Sequence, residues 1–92
     1  MKVKFRTQCR VPVDSPLLYE LEDCELITQL PFDPQVGQKL KLTERTPWMT
    51  VASVSWDWAD PKYLLVWFRE QDDPAHVPWS PDMQADGWRV CS

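Results

Sequence analysis

The chain has 92 residues and a formal net charge of −4. This length suits one domain, residues 1–92, with a thin core, and the charge argues against general binding to nucleic acid or anionic membranes. The chain has no apolar run of 18 residues and no apolar segment after its basic N-terminus. We therefore expect neither a membrane span nor a secretory signal, and predict a cytoplasmic location.

Residues 2–11 alternate between two kinds of side chain, which predicts a half-buried strand. One face is apolar or small, and the other is basic or polar. We expect Pro12 to end this strand or to confine it to a sheet edge. On an edge strand the basic face would be solvated or would block edge-to-edge aggregation.

The next segment allows two interpretations. A Ser-Pro pair favours a short helix over residues 16–22, although the same residues also suit an extended strand. Residues 24–30 predict a strand, and residues 31–37 predict a turn in which Gly37 supplies a left-handed conformation. Residues 39–43 alternate again and predict the start of another strand.

The second half contains the most informative stretch of the sequence. Residues 48–56 and 63–68 predict two strands joined by a tight, Trp-flanked loop. A short helix is predicted over residues 80–86, with Ser80 as N-cap and glycine at its end, followed by a closing strand over residues 88–91.

These elements predict a mainly β fold, a small single domain with one or two short helices. Its architecture would be a five- or six-stranded bent sheet or an SH3-like barrel. The predicted core consists of Val3, Phe5, Cys9, Leu26, Leu40, Leu42, Val51, Val54, Leu65, Val66, Trp67, Phe68, Trp88 and Val90.

Cysteine usage indicates neither a disulfide framework nor a zinc site. Cys9, Cys24 and Cys91 are odd in number, far apart and without a CxxC spacing. We therefore expect buried or half-buried free thiols.

The predicted ligand site is the aromatic and acidic loop between the two central strands. Aromatic faces attract cations, and neighbouring carboxylates strengthen this attraction. The predicted binding residues are Trp56, Asp57, Trp58, Asp60, Tyr63 and Trp79, the last joining if the final loop folds back. In the alternative interpretation these rings only fill the core or close the end of a barrel.

The function predicted from this site is a non-enzymatic binding module for a cationic peptide or small molecule. The alternative is a self-assembling or polyanion-mimicking protein that binds and inhibits a basic partner, with a homo-oligomer as one form. We predict no enzyme activity, no cofactor and no metal site, because no catalytic, nucleotide-binding or metal-ligand motif is present. An enzyme would have to use the acids around Asp57 or one of the three thiols.

The middle of the chain resembles small proteins of unassigned activity carried on bacterial mobile elements, including integron gene cassettes. The resemblance covers about half of the chain: Leu30-Pro31-Phe32-x-Pro34-x-Val36-Gly37 leading into residues 39–42, then residues 51–57 and residues 64–68. It implies a compact single domain, often oligomeric, and carries over no functional residue.

Overall fold

The chain folds as one curled six-stranded sheet in a computed structural model that describes residues 2–56 and 62–91. The strand order is β3-β4-β5-β1-β2-β6, and β1 and β5 are parallel while the other pairs are antiparallel. This confirms the mainly β class and the bent sheet. The elements are β1 (Lys2–Val13), β2 (Ser15–Gln29), β3 (Lys39–Leu40), β4 (Met49–Trp56), β5 (Leu64–Phe68), a 3-10 turn (Pro74–His76), α1 (Ser80–Ala85) and β6 (Arg89–Cys91).

The first strand is interior to the sheet, so the prediction of an edge strand is wrong. The predicted alternation itself is confirmed, because Val3, Phe5, Thr7 and Cys9 are buried. β1 pairs with β2 along its whole length and with β5 from Val3 to Arg6. Pro12 is tolerated because its missing N–H lies beyond the last β5 partner.

Residues 16–22 are extended, so of the two interpretations the helix is wrong and the strand is confirmed. A single residue outside both strands, Asp14 with φ of 55°, connects β1 to β2. This turn folds β2 back onto β1 with a register shift between Pro12 and Val13, and the ladder from Tyr19 onward satisfies backbone groups that a short helix would leave at its ends. Tertiary pairing therefore outweighs the local Ser-Pro signal.

A bulge in β4 decides which of its side chains face inward. Val51 pairs with Phe68, but the register then shifts between Val51 and Ser53, so that Val54 pairs with Val66. One extra residue reverses the alternation. Val54 and Trp56 therefore lie on the same inner face as Val51, rather than on the opposite one.

The core lies on the inner, concave face of the sheet. Phe5 and Phe68 stack there with ring centroids 5.5 Å apart, and Met83 of α1 and Trp88 pack against the same cluster. The predicted core positions Leu65 and Trp67 are wrong: both are half-buried on the outer face, because β5 alternates Leu64, Val66 and Phe68 inward.

The predicted helix and closing strand near the C-terminus are present as α1 and β6. The predicted N-cap is wrong by one residue: Trp79 occupies that position without a side-chain cap, and Ser80 is the buried first residue of α1. Gly37 has the predicted left-handed conformation, with φ of 88°.

Two of the three cysteines form a disulfide, Cys9–Cys24, so the prediction of free thiols is wrong for both. Both residues are fully buried on the inner face of the β1–β2 hairpin. Cys9 is opposite Glu22 and Cys24 is opposite Thr7, so the bond runs diagonally between the strands, with a Cα separation of 6.1 Å. Cys91 is a free thiol, as predicted.

Candidate functional site: a groove beside Trp56

The structure separates the three predicted site residues that it describes, Trp56, Tyr63 and Trp79, instead of gathering them. Trp56 lies on the inner face at the end of β4, paired with Leu64. Tyr63 lies on the outer face, and Trp79 forms a bridge to Arg10, seven residues along β1 from the Val3–Leu64 pair. That distance along a strand is about 23 Å. Asp57, Trp58 and Asp60 lie outside the described residues.

Trp56 lines an open groove of about 320 Å³ at one end of the inner face. Its indole is 58% exposed, a large value for a tryptophan at the end of a strand. The groove combines this ring with apolar side chains and one carboxylate. Its lining residues are Asp33, Pro34, Gln35, Val36, Val54, Trp56 and Leu64.

Backbone hydrogen bonds hold the wall of the groove that comes from residues 33–36. The Gly37 N–H donates to the Val51 carbonyl at 2.8 Å, and the Val51 N–H donates to the Gln38 carbonyl at 2.9 Å. Within the turn, the Gln38 N–H donates to the Gln35 carbonyl, and the Gln38 side chain accepts from the Gln35 N–H. The turn is thus fixed to β4, and Asp33 is held on the same groove as Trp56.

Asp33 is the one acidic residue among the described residues that line this groove. An exposed indole with a carboxylate nearby is an arrangement that attracts organic cations. In the described part of the chain, no lysine or arginine lies over the Trp56 ring.

The other two predicted rings already hold cations of the chain itself. Lys4 Nζ lies 4.9 Å from the centroid of Tyr63, and Arg10 Cζ lies 4.4 Å from the centroid of Trp79. Arg10 also donates from Nε to the Val77 carbonyl at 2.6 Å. Tyr63 and Trp79 therefore make within the molecule the contact that was predicted for a ligand.

The outer face also carries a buried carboxylate, Glu25, that the sequence analysis did not single out. Arg6 donates to it from Nε and Nη2 at 3.1 and 2.9 Å, and Arg89 donates from Nη2 at 2.8 Å. Burial alone would raise the pKa of Glu25, but the hydrogen bonds and charges of Arg6 and Arg89 together hold this pKa below its usual range. The carboxylate is therefore ionised, and both of its oxygens accept hydrogen bonds from arginine side chains. Its role is to stabilise the fold.

A second ion pair joins the turn before β4 to the helix. The Arg45 backbone N–H and guanidinium both donate to the Asp86 carboxylate at 2.8 Å. The backbone hydrogen bond is the main cause that lowers the pKa of Asp86. This pair lies away from the groove and plays no part in it.

The described residues contain neither a metal-binding cluster nor a membrane-spanning helix. Among them, no group of three or more His, Cys, Asp or Glu side chains is placed to hold a metal ion. No helix in the same ranges is long and apolar enough to cross a membrane. The lone histidine, His76, is exposed, and its Nε2 lies 4.0 Å from the Asp73 carboxylate.

The fold and groove define a small curled β-sheet protein with an aromatic and acidic surface groove. Comparison with known proteins finds no matching family model, no matching curated protein and no matching solved structure. Function is therefore argued from the geometry alone.

Sequence reasoning did not find Asp33, Pro34 and Val36 as groove residues. Two prolines flanking an aspartate indicate a turn, but not which strand the turn packs on. The remaining sequence signal of an apolar surface in this loop was a valine next to a glycine, Val36, which is 67% exposed in the structure.

Proposed function

We propose that this protein is a non-enzymatic binding module that takes a cationic group in the groove beside Trp56. The observation that carries the proposal is an exposed indole and the Asp33 carboxylate lining one groove. The proposal keeps Trp56 from the predicted site and adds Asp33 to it.

The size of the groove selects the class of ligand. Sites for drug-sized ligands have volumes of about 300–1,000 Å³, and this groove, at about 320 Å³, is at the lower limit. It suits one arginine or lysine side chain of a peptide, or a small quaternary ammonium ion. Pro34, Val54 and Leu64 provide the apolar contacts that such a group makes through its carbon atoms.

Replacing Trp56 by alanine is expected to weaken binding of a cationic probe about tenfold, since a partly desolvated cation–π contact is worth 1–2 kcal/mol. The probes are choline and N-acetyl-arginine amide, titrated by calorimetry or by indole fluorescence. Asp33→Asn is expected to weaken both probes by a smaller factor, and more at low salt than at high salt.

Trp48→Ala is the matched control, because Trp48 is also strongly exposed, at 66%, but lines a different groove. It should leave choline binding unchanged. The neutral isostere 3,3-dimethylbutanol should bind more weakly than choline. Equal binding of choline and this alcohol, or equal loss in Trp48→Ala and Trp56→Ala, would contradict a cation site at Trp56.

Self-assembly or capture of a basic partner stays the alternative function, and no described contact favours it over the groove. The predicted cytoplasmic location and the resemblance to integron cassette proteins also stay predictions. Structural disulfides such as Cys9–Cys24 are typical of oxidising compartments, and this weighs against the predicted cytoplasmic location.

A further inference from the structure

The edge of β4 that faces away from β5 is covered only at its start. β3 is the terminal strand of the sheet and pairs with the first two residues of β4. The contact ends at Val51, which accepts from the Gly37 N–H at 2.8 Å and donates to the Gln38 carbonyl at 2.9 Å. In the described part of the chain, no backbone hydrogen bond reaches this side of residues 52–56. We call this side of residues 52–56 the open edge.

The backbone groups at the open edge belong to residues that line the groove. In a strand, residues whose side chains share a face also direct their N–H and C=O groups to the same edge. Val51, Val54 and Trp56 all face inward, and Val51 directs both of its backbone groups to the β3 side. Val54 and Trp56 therefore present their N–H and C=O groups at the open edge, beside the groove that their side chains line.

The side chains of β4 leave the open edge accessible. Edge strands that avoid pairing with another chain often carry charged side chains or proline. Residues 51–56 contain neither. Ala52, Ser53 and Ser55 are small and exposed. A further strand therefore meets no charge and no bulky side chain along this edge, except the exposed indole of Trp56 at its end.

We propose that the partner of this protein is an extended peptide that adds a strand to the open edge and places an arginine or lysine in the groove beside Trp56. This inference rests on the proposed function, because it takes the same groove to be the cation site. In strand addition, backbone hydrogen bonds provide affinity, and pockets for alternate side chains provide specificity. A small quaternary ammonium ion would use the groove and leave the open edge unpaired.

The open edge also sets the order of residues in the peptide. A strand that continues the antiparallel direction of β3 passes Trp56 first and Val54 next, and the two peptide residues opposite them both turn inward. The cation belongs opposite Trp56, because Asp33 lines the groove at that end of β4. An apolar residue belongs opposite Val54. The preferred sequence is thus a cation, any residue and then an apolar residue.

Charge favours a foreign peptide over a second copy of this chain at the open edge. Pairing two β4 strands would bring no cation to Asp33, since residues 51–56 contain no lysine or arginine. An arginine of a peptide compensates the Asp33 carboxylate and covers the indole of Trp56, which is 58% exposed. The observations therefore fit a cationic peptide better than self-pairing.

The binding test compares acetyl-Thr-Arg-Thr-Val-Thr-amide with N-acetyl-arginine amide, both titrated by calorimetry. The peptide should bind at least about tenfold more tightly, because it adds hydrogen bonds to the backbones of Val54 and Trp56. Replacing its arginine by norleucine should weaken binding about tenfold, since the cation–π contact with Trp56 is lost.

Two methylated peptides separate backbone pairing from side-chain contact. N-methylation of the peptide's valine removes an N–H that points at β4, and should weaken binding about tenfold. N-methylation of its central threonine removes an N–H that points away from β4. This matched change should weaken binding less than about threefold, because no hydrogen bond to the protein is lost.

Hydrogen exchange followed by nuclear magnetic resonance locates the added strand. The amides of Val54 and Trp56 should exchange at least about tenfold more slowly with saturating peptide, and at an unchanged rate with saturating choline. The Val51 amide is the control within the same strand. It already donates to the Gln38 carbonyl, so its exchange should be slow with and without the peptide.

Several results would overturn the proposal. A peptide that binds no more tightly than N-acetyl-arginine amide, with choline binding intact, would exclude strand addition and leave the cation groove at Trp56 standing. Equal losses from the two N-methylations would equally exclude backbone pairing. Sedimentation equilibrium that shows a dimer dissociated by the peptide would assign the open edge to a second copy. A norleucine peptide as tight as the arginine peptide, together with no choline binding, would contradict both this proposal and the cation groove.

Discussion

Replacing Cys9 and Cys24 together by alanine is expected to lower the free energy of unfolding by about 3 kcal/mol. The disulfide joins residues 15 apart in sequence, across the β1–β2 turn, and a cross-link of this span restricts the unfolded chain by about that amount. In a chain of this size the melting temperature should fall by about 15 °C. Urea unfolding followed by tryptophan fluorescence measures the change.

The control for this prediction is Cys91→Ala, because Cys91 is a half-buried free thiol on the last strand. It should stay within about 0.5 kcal/mol of the wild type. Adding dithiothreitol should bring the wild type close to the stability of the double variant. Thiol titration of the denatured, unreduced protein should give one reactive group, and a result of three would show that the bond is absent.

The disulfide could not be predicted from cysteine spacing because it depends on strand register. Cys9 and Cys24 meet only when the Asp14 turn places Cys24 opposite Thr7, two residues along β1 from Cys9. The alternation in residues 2–11 gave the correct inward face for Cys9. It carries no information about which residue of another strand lies beside that thiol.

The alternation of side chains was sufficient to predict which residues of a strand face inward where the other face of that strand is polar. β1 was predicted to within two residues of its C-terminal end, with the correct faces inward and outward, because its basic and apolar residues alternate. β5 was predicted in extent only, since Leu64 to Phe68 are all apolar and such a run does not show which residues face inward. The β4 bulge is equally invisible to a strict two-residue period.

The candidate site was predictable only in part, because local sequence patterns do not show which segments of the chain meet in the folded sheet. Trp56 was predicted as a binding residue from its position next to the loop, but Asp33, which lines the same groove, comes from a segment more than 20 residues earlier. Two backbone hydrogen bonds between Val51 and residues 37–38 bring the segments together. Their register is a property of the folded sheet and not of either segment alone.

Replacing Glu25 by glutamine is expected to lower the free energy of unfolding by about 2 kcal/mol at neutral pH, because charge-assisted hydrogen bonds to a buried group are lost. The carboxylate lies in one row across the sheet with Arg6 on β1 and Arg89 on β6, and accepts from both. A glutamine of the same size presents an amide donor to one of these two cations and leaves their charges uncompensated.

The partners of Glu25 should contribute unequally. Arg89 is 73% exposed, so its bond is weakened by solvent and Arg89→Ala should cost less than about 1 kcal/mol. Arg6 is less exposed, donates twice and also lies over Trp67. Arg6→Ala should therefore be the more destabilising of the two, while Glu20→Gln, at an exposed glutamate of the same strand, should be neutral.

The pH dependence of the Glu25→Gln effect follows from the lowered pKa of Glu25. A carboxylate whose pKa is lower in the folded state stabilises it fully above the unfolded pKa of about 4.3. This stabilisation is lost as the pH falls through the lower folded-state pKa. Urea unfolding of the wild type and Glu25→Gln should thus show a constant gap at neutral pH that narrows in acid. A gap that is unchanged well below the unfolded pKa would mean that packing, and not charge, makes Glu25 stabilising.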